Sequence, residues 1–270
     1  MKKYFSNKLF LAGLIIVIIF LILAVFGDFL APYDPLKIQA SEKLKPPSQK
    51  FLIGTDEFGR DILSRLILSA RNTLIVVISS IVFAVVIGVS LGLISGFYGG
   101  WVDNIIMRVQ DGILAFPAVL LAILIMATVS PGFLPLIFTI GIIYIPRFAR
   151  LVRGNVLMIK NAEYVKASTV SGARNHYLLI KVLLPNCLSS ILVQCTLMAA
   201  VAIIIEASLS YLGLGIQPPA ASWGLMLNSA QSYIWNAPWY VYAPGVCIVI
   251  IVLGFSLLGD GLREITNPKL

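Results

Sequence analysis

With 59% hydrophobic and only 12% charged side chains over 270 residues, the chain cannot clothe a water-soluble surface, which needs about twice that charged share. A mean hydropathy of +0.95 and four runs without Asp, Glu, Lys or Arg (72–102, 112–146, 182–205 and 207–259) place it in a bilayer. The net charge of +8 comes from basic groups lying between apolar runs, so it reports topology and anionic lipid rather than nucleic acid.

In chain order, Lys2, Lys3 and Lys8 precede an uncharged run over 9–27. It is long for a signal-peptide core and close to the about 20 residues of a membrane helix, and no small-residue cleavage site closes it convincingly. It is expected to stay as a first span with its basic end inside. Residues 28–71 then form an outer segment. Pro32, Pro35, Pro46 and Pro47 predict extended chain. Ile62, Leu66 and Ser69, with Arg60, Arg65 and Arg71 around them, predict an amphipathic helix on the interface, leading into a second span.

That second span is expected over 73–95, where Gly88 and Gly92 form a small-xxx-small pair suited to close helix contact. The 35-residue uncharged run 112–146 is too long for one helix, and Ser130-Pro131-Gly132 breaks it. A third span over 112–129 follows, reaching back through Ile105 and Ile106, with Pro117 marking a kink or bend. Asp103, Arg108 and Asp111 anchor its inner end. A fourth span over 133–150 needs Arg147 and Arg150 to snorkel or to face protein. The fifth and sixth spans are expected over 188–210 and 240–258.

With the N-terminus inside, inner segments carry 13 Lys/Arg and outer segments 7, which puts both ends on the cytoplasmic side. Between spans five and six, residues 211–238 carry no charge but hold Gly213, Gly215, Pro218, Pro219, Trp223 and Trp235, with Trp239 directly after them. An interface belt, a re-entrant cap or the rim of a pore each fits this composition. Cys187, Cys195 and Cys247 show no CxxC spacing and read as small packing residues. A single histidine, His176, offers no zinc site.

The stretch 147–187 breaks the pattern, with seven Lys/Arg against one acid. Val156, Ile159, Ala162 and Val165 make one apolar stripe at i,i+3, opposed by Lys160, Glu163 and Lys166. The spacing predicts a helix interrupted at Thr169-Val170-Ser171-Gly172, then a second helical piece from about Asn175 that stops at Pro185. Such a hairpin, pinned between two spans, transmits a push into them. A solvated basic loop that only holds topology is the plainer reading of the same residues.

Glu206 is the one acid in the fifth apolar span. Burying it demands hydrogen-bond partners, a water path or protonation, and it serves either as a structural or gating group or as a proton relay. Nothing matches a phosphate-binding Gly-x-x-x-x-Gly-Lys-Ser/Thr loop, and no constellation for covalent or acid–base chemistry is present, so catalytic, cofactor and metal residues are expected to be absent.

Four blocks carry a family resemblance. Lys166-Ala167-Ser168, then Gly172, then Leu184-Pro185 resembles the coupling signature of permease subunits in ABC importers. Gly54-Thr55-Asp56-x-x-Gly59-Arg60-Asp61, Phe116-Pro117, and Glu206-Ala207-x-Leu209-Ser210-x-Leu212-Gly213-Leu214-Gly215 running on to Ser222-Trp223-Gly224 resemble the dipeptide/oligopeptide/nickel branch, second permease of the pair. Similarity of this kind covers nearly the whole chain, from Leu9 to about Asn267.

The resemblance implies an all-α polytopic fold of six transmembrane helices with type I importer topology in a bacterial inner membrane. It implies an N-terminal helix with an extracytoplasmic segment (1–71) and a core permease domain (72–270) whose coupling loop is 151–187. It implies a heterodimer with a second permease, two cytoplasmic ATPases that bind ATP and magnesium, and an extracytoplasmic solute-binding protein. Glu163, Lys166, Ala167, Ser168, Gly172, Leu184 and Pro185 become ATPase-coupling residues. Pro117, Glu206, Ser210, Gly213, Gly215 and Trp223 become pore or gate candidates. The cargo is a di- or oligopeptide, with nickel or another metal chelate as the alternative. Lys166 stands where the family signature has glutamate, which reverses a charge at the ATPase contact. A proton-coupled secondary transporter using Glu206 and a membrane-bound enzyme or assembly factor are the competing classes.

Overall fold

Helix α1 (Lys8–Leu30) opens the described part of the chain, residues 7–266 of a computed structural model. Lys2, Lys3 and the chain beyond Thr266 lie outside the described residues. The side chain of Asn7 caps α1 by accepting from the Phe10 amide at 3.0 Å, and the helix stops just before Pro32. An irregular segment over 31–61 with one 3-10 turn (Ala40–Glu42) follows, as its prolines predict.

Helix α2 (Ile62–Tyr98) is capped by Asp61, whose carboxylate accepts from the Ser64 amide at 2.8 Å and its hydroxyl at 2.6 Å. The expected interfacial helix before span two is therefore corrected. Ile62, Leu66 and Ser69 belong to one 37-residue helix and are buried in protein. Their apolar spacing seeks a partner surface, and α1 with the Trp223–Met226 stretch provides it.

The third span is corrected too. In place of one helix over 112–129, α3 (Gly100–Leu114) and α4 (Ala118–Ala127) meet at 87° across Ala115-Phe116-Pro117. Proline has no amide to extend α3 and disfavours helical geometry in the residue before it, so the predicted bend is real and very sharp.

Helix α5 (Phe133–Ile159) runs nine residues past the expected end at 150. Arg150 and Arg153 do not end it, because they find carboxylates on α3. The stripe Val156–Ile159–Ala162–Val165 is not one helix. The chain turns at Lys160-Asn161-Ala162 before α6 (Glu163–Val170), yet both parts of the stripe still pack into one cluster with Val89, Leu93 and Leu183.

The second helical piece does not stop at Pro185. Helix α7 (Asn175–Tyr211) passes through it by way of a π-helical stretch, Leu178–Leu183. There the Leu184 amide reaches back five residues to the Leu179 carbonyl. The widened turn lets the helix continue into a residue that lacks an amide donor. A short helix α8 (Trp223–Ala230) and α9 (Pro238–Thr266) complete the chain.

Among the described residues, five helices are long and apolar enough to cross a bilayer, and a sixth crossing is counted when the bent α3–α4 pair is taken as one span. Packing shows why that pair must cross. An added Cβ on Gly88 would lie 2.7 Å from the Ile145 carbonyl, on Gly92 2.5 Å from the Ala149 carbonyl, and on Gly96 2.8 Å from Val156. Residue numbers rise together, so α2 and α5 are parallel neighbours with backbones in near contact. The chain between them has to return across the membrane.

The other neighbours run antiparallel. Gly13 of α1 meets Leu258 of α9, and Gly261 meets Phe10. Arg147 of α5 meets Met198 of α7, while Val156 and Leu183 share a cluster. Asn7 donates to Glu264 at 2.7 Å, which places both ends of the described chain on one face.

Candidate functional site

The chemistry-bearing residues gather at opposite ends of the bundle. At the end reached by α2, α5 and α9, Lys160 donates to the Gly96 carbonyl at 3.1 Å and fixes where α5 stops. α6 then lies against the bundle through Val165, while Glu163, Tyr164, Lys166, Ala167 and Val170 are exposed. Val170 is 89% exposed, which water alone does not favour for an aliphatic side chain.

The turn after α6 closes with two bonds. Gly172 N–H donates to the Thr169 carbonyl at 3.0 Å and Ala173 N–H to the Ser168 carbonyl at 3.1 Å. This pairing requires a left-handed residue at the turn, and Gly172 holds φ at 81°. Glu163, Lys166, Ala167, Ser168 and Gly172 therefore form one compact knob. Leu184 and Pro185 stand apart from it, just beyond the π-helical stretch, where they join the turn to the membrane-crossing part of α7.

At the other end, Glu206 is fully buried. Thr73 of α2 donates to it at 3.1 Å and Ser210, one turn on, at 2.7 Å. The Ser222 hydroxyl, at the start of α8, supplies a third hydrogen bond. Three elements thus converge on one carboxylate, satisfying a group that is expensive to bury unpartnered. Ser210 also accepts from the Ile216 amide at 3.3 Å, and Gly215 packs directly on it. Gly213 turns the chain out of α7 with φ of 78°.

Trp223 is fully buried, so it is no interface-belt residue. Its indole donates to the Leu66 carbonyl at 3.2 Å and meets Phe20 edge-on at 5.6 Å. The exposed aromatic of this segment is Trp235. Glu206, Ser210, Gly215 and Trp223 thus sit together in a lock between the cap and α1, α2 and α7. Pro117 is remote from it, exposed at the α3–α4 bend.

Sequence reasoning did not single out Thr73 as a partner of Glu206, because contact across 133 positions leaves no local pattern. Sequence reasoning also missed a second network, of which only the i,i+4 spacing of Asp56 and Arg60 gave a local signal. Asp56 accepts from Arg60 Nε at 2.6 Å and pairs with Arg65 at 3.4 Å, and Tyr240 of α9 donates to Glu57 at 2.6 Å. It ties the 31–61 segment to the starts of α2 and α9. Among the described residues, no group of three or more His, Cys, Asp or Glu side chains is placed to hold a metal, and the three cysteines are free.

Comparison with known proteins agrees with this architecture. Residues 88–270 match the family described as "Binding-protein-dependent transport system inner membrane component", and residues 1–47 match the "N-terminal TM domain of oligopeptide transport permease C". The chain is 42% identical to the di/tripeptide transport system permease protein DppC of Pseudomonas aeruginosa, over all of this chain and 91% of that one. It is 40% identical to the dipeptide transport system permease protein DppC of Alkalihalophilus pseudofirmus, over all of this chain and 88% of that one. Similarity to the glutathione transport system permease protein GsiD of Pectobacterium atrosepticum is 39%, covering all of this chain and 90% of the relative.

Among solved structures, an inward-facing MetNI methionine ABC transporter chain superposes with a TM-score of 0.60 at 22% identity. The match covers 76% of this chain and 98% of that one and speaks for the fold. With matches over its full length and a fold to suit, the chain belongs to the inner-membrane permease family of binding-protein-dependent ABC importers, in the dipeptide/oligopeptide/nickel branch.

Proposed function

We propose that this chain forms half of the translocation pathway of an ATP-driven importer of di- and oligopeptides. The observation that carries the reading is the 42% identity, over the entire chain, to a permease of a di/tripeptide system. The exposed knob of α6 and its glycine turn adds mechanical support, since it joins two long helices and has room for a partner on its outer side.

In this reading the partners are a second homologous permease, an extracytoplasmic solute-binding protein and two cytoplasmic ATPases, which bind the ATP and magnesium. Glu163, Lys166, Ala167, Ser168 and Gly172 dock in an ATPase groove, with Val170 entering an apolar slot. Leu184 and Pro185 pass the motion into α7. Rigid coupling elements between long helices turn a small domain movement into a gate movement. The face that carries α6, Asn7 and Glu264 is then cytoplasmic, so both termini lie inside. Residues 1–71 act as an N-terminal helix with its outer segment, and 72–270 as the permease core. Pro117, Ser210, Gly213 and the Glu206–Trp223 lock act where the pathway opens and closes.

Purified complex in proteoliposomes, supplied with the binding protein and ATP, is the direct test. ATP-dependent uptake of labelled dipeptide or oligopeptide is expected. Uptake of a nickel chelate with none of peptide would assign the other cargo, and uptake driven by a proton gradient without ATPases would overturn the mechanism.

A further inference from the structure

Three arginines lie on the half of α5 nearer the α6 knob. Arg150 pairs with Asp111 at 2.5 Å and Arg153 with Asp103 at 2.6 Å. Arg147 is the one of the three with no carboxylate partner among the described residues. Its Nη1 lies 3.8 Å from the Met198 sulfur of α7, and its guanidinium sits 5.9 Å from the Tyr144 ring centroid. At 1.5 Å per residue it stands about 21 Å from the Phe133 end of α5 and about 18 Å from the Ile159 end. Charged groups at such depth face protein or water.

The surroundings separate these choices. Pro146, Phe148 and Ala149 beside it are buried, whereas Arg147 is exposed. Continuing toward the knob, its helix face carries Arg150 and Gly154 before it reaches the exposed Met158 at the end of α5. The lipid-like face of α5, with Leu134 and Phe138 exposed, points nearly the opposite way. The side chain lies over the α5–α7 seam. The exposed bend at Pro117 belongs to the α3–α4 pair, and α4 packs on α5, with Met126 against Thr139, and on α7. The hydroxyl of Tyr144, buried in the same turn, has no hydrogen-bond partner.

We infer that Arg147 lines the translocation pathway and receives the C-terminal carboxylate of the passing peptide, making it a specificity-determining residue for cargo with a free carboxyl end. The guanidinium offers a planar donor fork matched to a carboxylate. This deepens the peptide-importer reading and rests on it. Every linear peptide carries that group whatever its side chains, so one fixed cation serves cargo of varied sequence.

The test uses the complete importer in proteoliposomes. Uptake of one tripeptide is compared with that of its C-terminal amide, each expressed as the ratio of wild type to variant so that the binding protein's own preference cancels. Arg147→Gln is expected to lower uptake of the free acid by about tenfold, the effect of one lost charged hydrogen bond, and of the amide by less than about twofold. Arg147→Lys is expected to fall between wild type and Arg147→Gln. Equal losses for both peptides, or none, overturn the inference while peptide import by the wild type keeps the broader reading intact. A loss that follows anionic-lipid content also overturns it, in favour of a lipid contact. If Arg147→Gln does not assemble, Arg147→Cys with the three native cysteines replaced is probed by a charged thiol reagent. Labelling supports a water-lined position, and failure to label overturns it. A wild type that imports neither peptide overturns the cargo reading itself.

Discussion

Asp103 and Arg153 meet in a two-pronged ion pair, Nε on Oδ1 and Nη2 on Oδ2, each at 2.6 Å. The Ser95 hydroxyl donates to the same carboxylate, so one acid joins α2, α3 and α5. Asp111, eight residues further along α3, pairs with Arg150, only three residues back along α5. About 12 Å of α3 therefore covers only about 4.5 Å of α5. α3 runs obliquely across the end of the bundle before α4 turns into it.

Because the Asp103–Arg153 pair is bidentate and partly buried, its two members should couple measurably. A double-mutant cycle with Asp103→Asn and Arg153→Gln is expected to give about 1–3 kcal/mol of coupling. Thermal unfolding of the purified complex reads it. Strict additivity would show that the pair does not hold α3 in place.

The α2–α5 contact depends on absent side chains. Gly92→Val places a Cβ 2.5 Å from the Ala149 carbonyl oxygen, and backbone cannot yield as a side-chain tip does. Destabilisation of at least about 1–3 kcal/mol is expected. Gly154→Ala, with nothing within 4 Å of the new Cβ, should be neutral or stabilise by up to about 1 kcal/mol. Equal melting temperatures for the two variants would contradict close helix contact.

Glu206 separates a structural lock from a proton relay. Glu206→Gln keeps an acceptor for Thr73, Ser210 or Ser222 and is expected to retain most ATP-driven uptake. Glu206→Leu strands those hydroxyls and should destabilise the complex by about 1–3 kcal/mol. Collapse of uptake in a stable Glu206→Gln complex would instead point to proton transfer.

Gly172 has open space around it but a backbone angle that disfavours side chains. Gly172→Val should therefore unseat the turn through strain while leaving the membrane bundle assembled. Stimulation of the ATPase by binding protein is expected to fall at least about tenfold. Gly172→Asn should lose less, because Asn tolerates left-handed geometry. Intact stimulation in Gly172→Val would remove the turn from the coupling path.

Much of the fold was legible because hydrocarbon allows few solutions. Uncharged runs located five of six crossings, Gly88 and Gly92 announced their contact, and Ser171-Gly172 ended α6. The misreadings share one cause. Ile62, Leu66 and Ser69 have the spacing of an amphipathic helix whether their apolar face meets lipid or protein, and only packing chooses. Pro185 normally ends a helix, but a π-helical stretch reset the bond register before it. The fourth span is expected to end at Arg150, and its continuation to Ile159 follows from the Arg153–Asp103 pair, which sequence spacing does not show.

The sequence by itself determined that this is a membrane-crossing chain, which segments cross, and where a helical knob projects. These follow from local hydropathy, glycine and proline, whose effects act within a few residues. Only the tertiary structure decided that α2 and α5 run parallel, that Glu206 is locked by three hydroxyls, and that Arg147, unlike Arg150 and Arg153, has no carboxylate partner among the described residues. Each of these is a relation between groups distant in the chain, set by which helix faces can approach most closely.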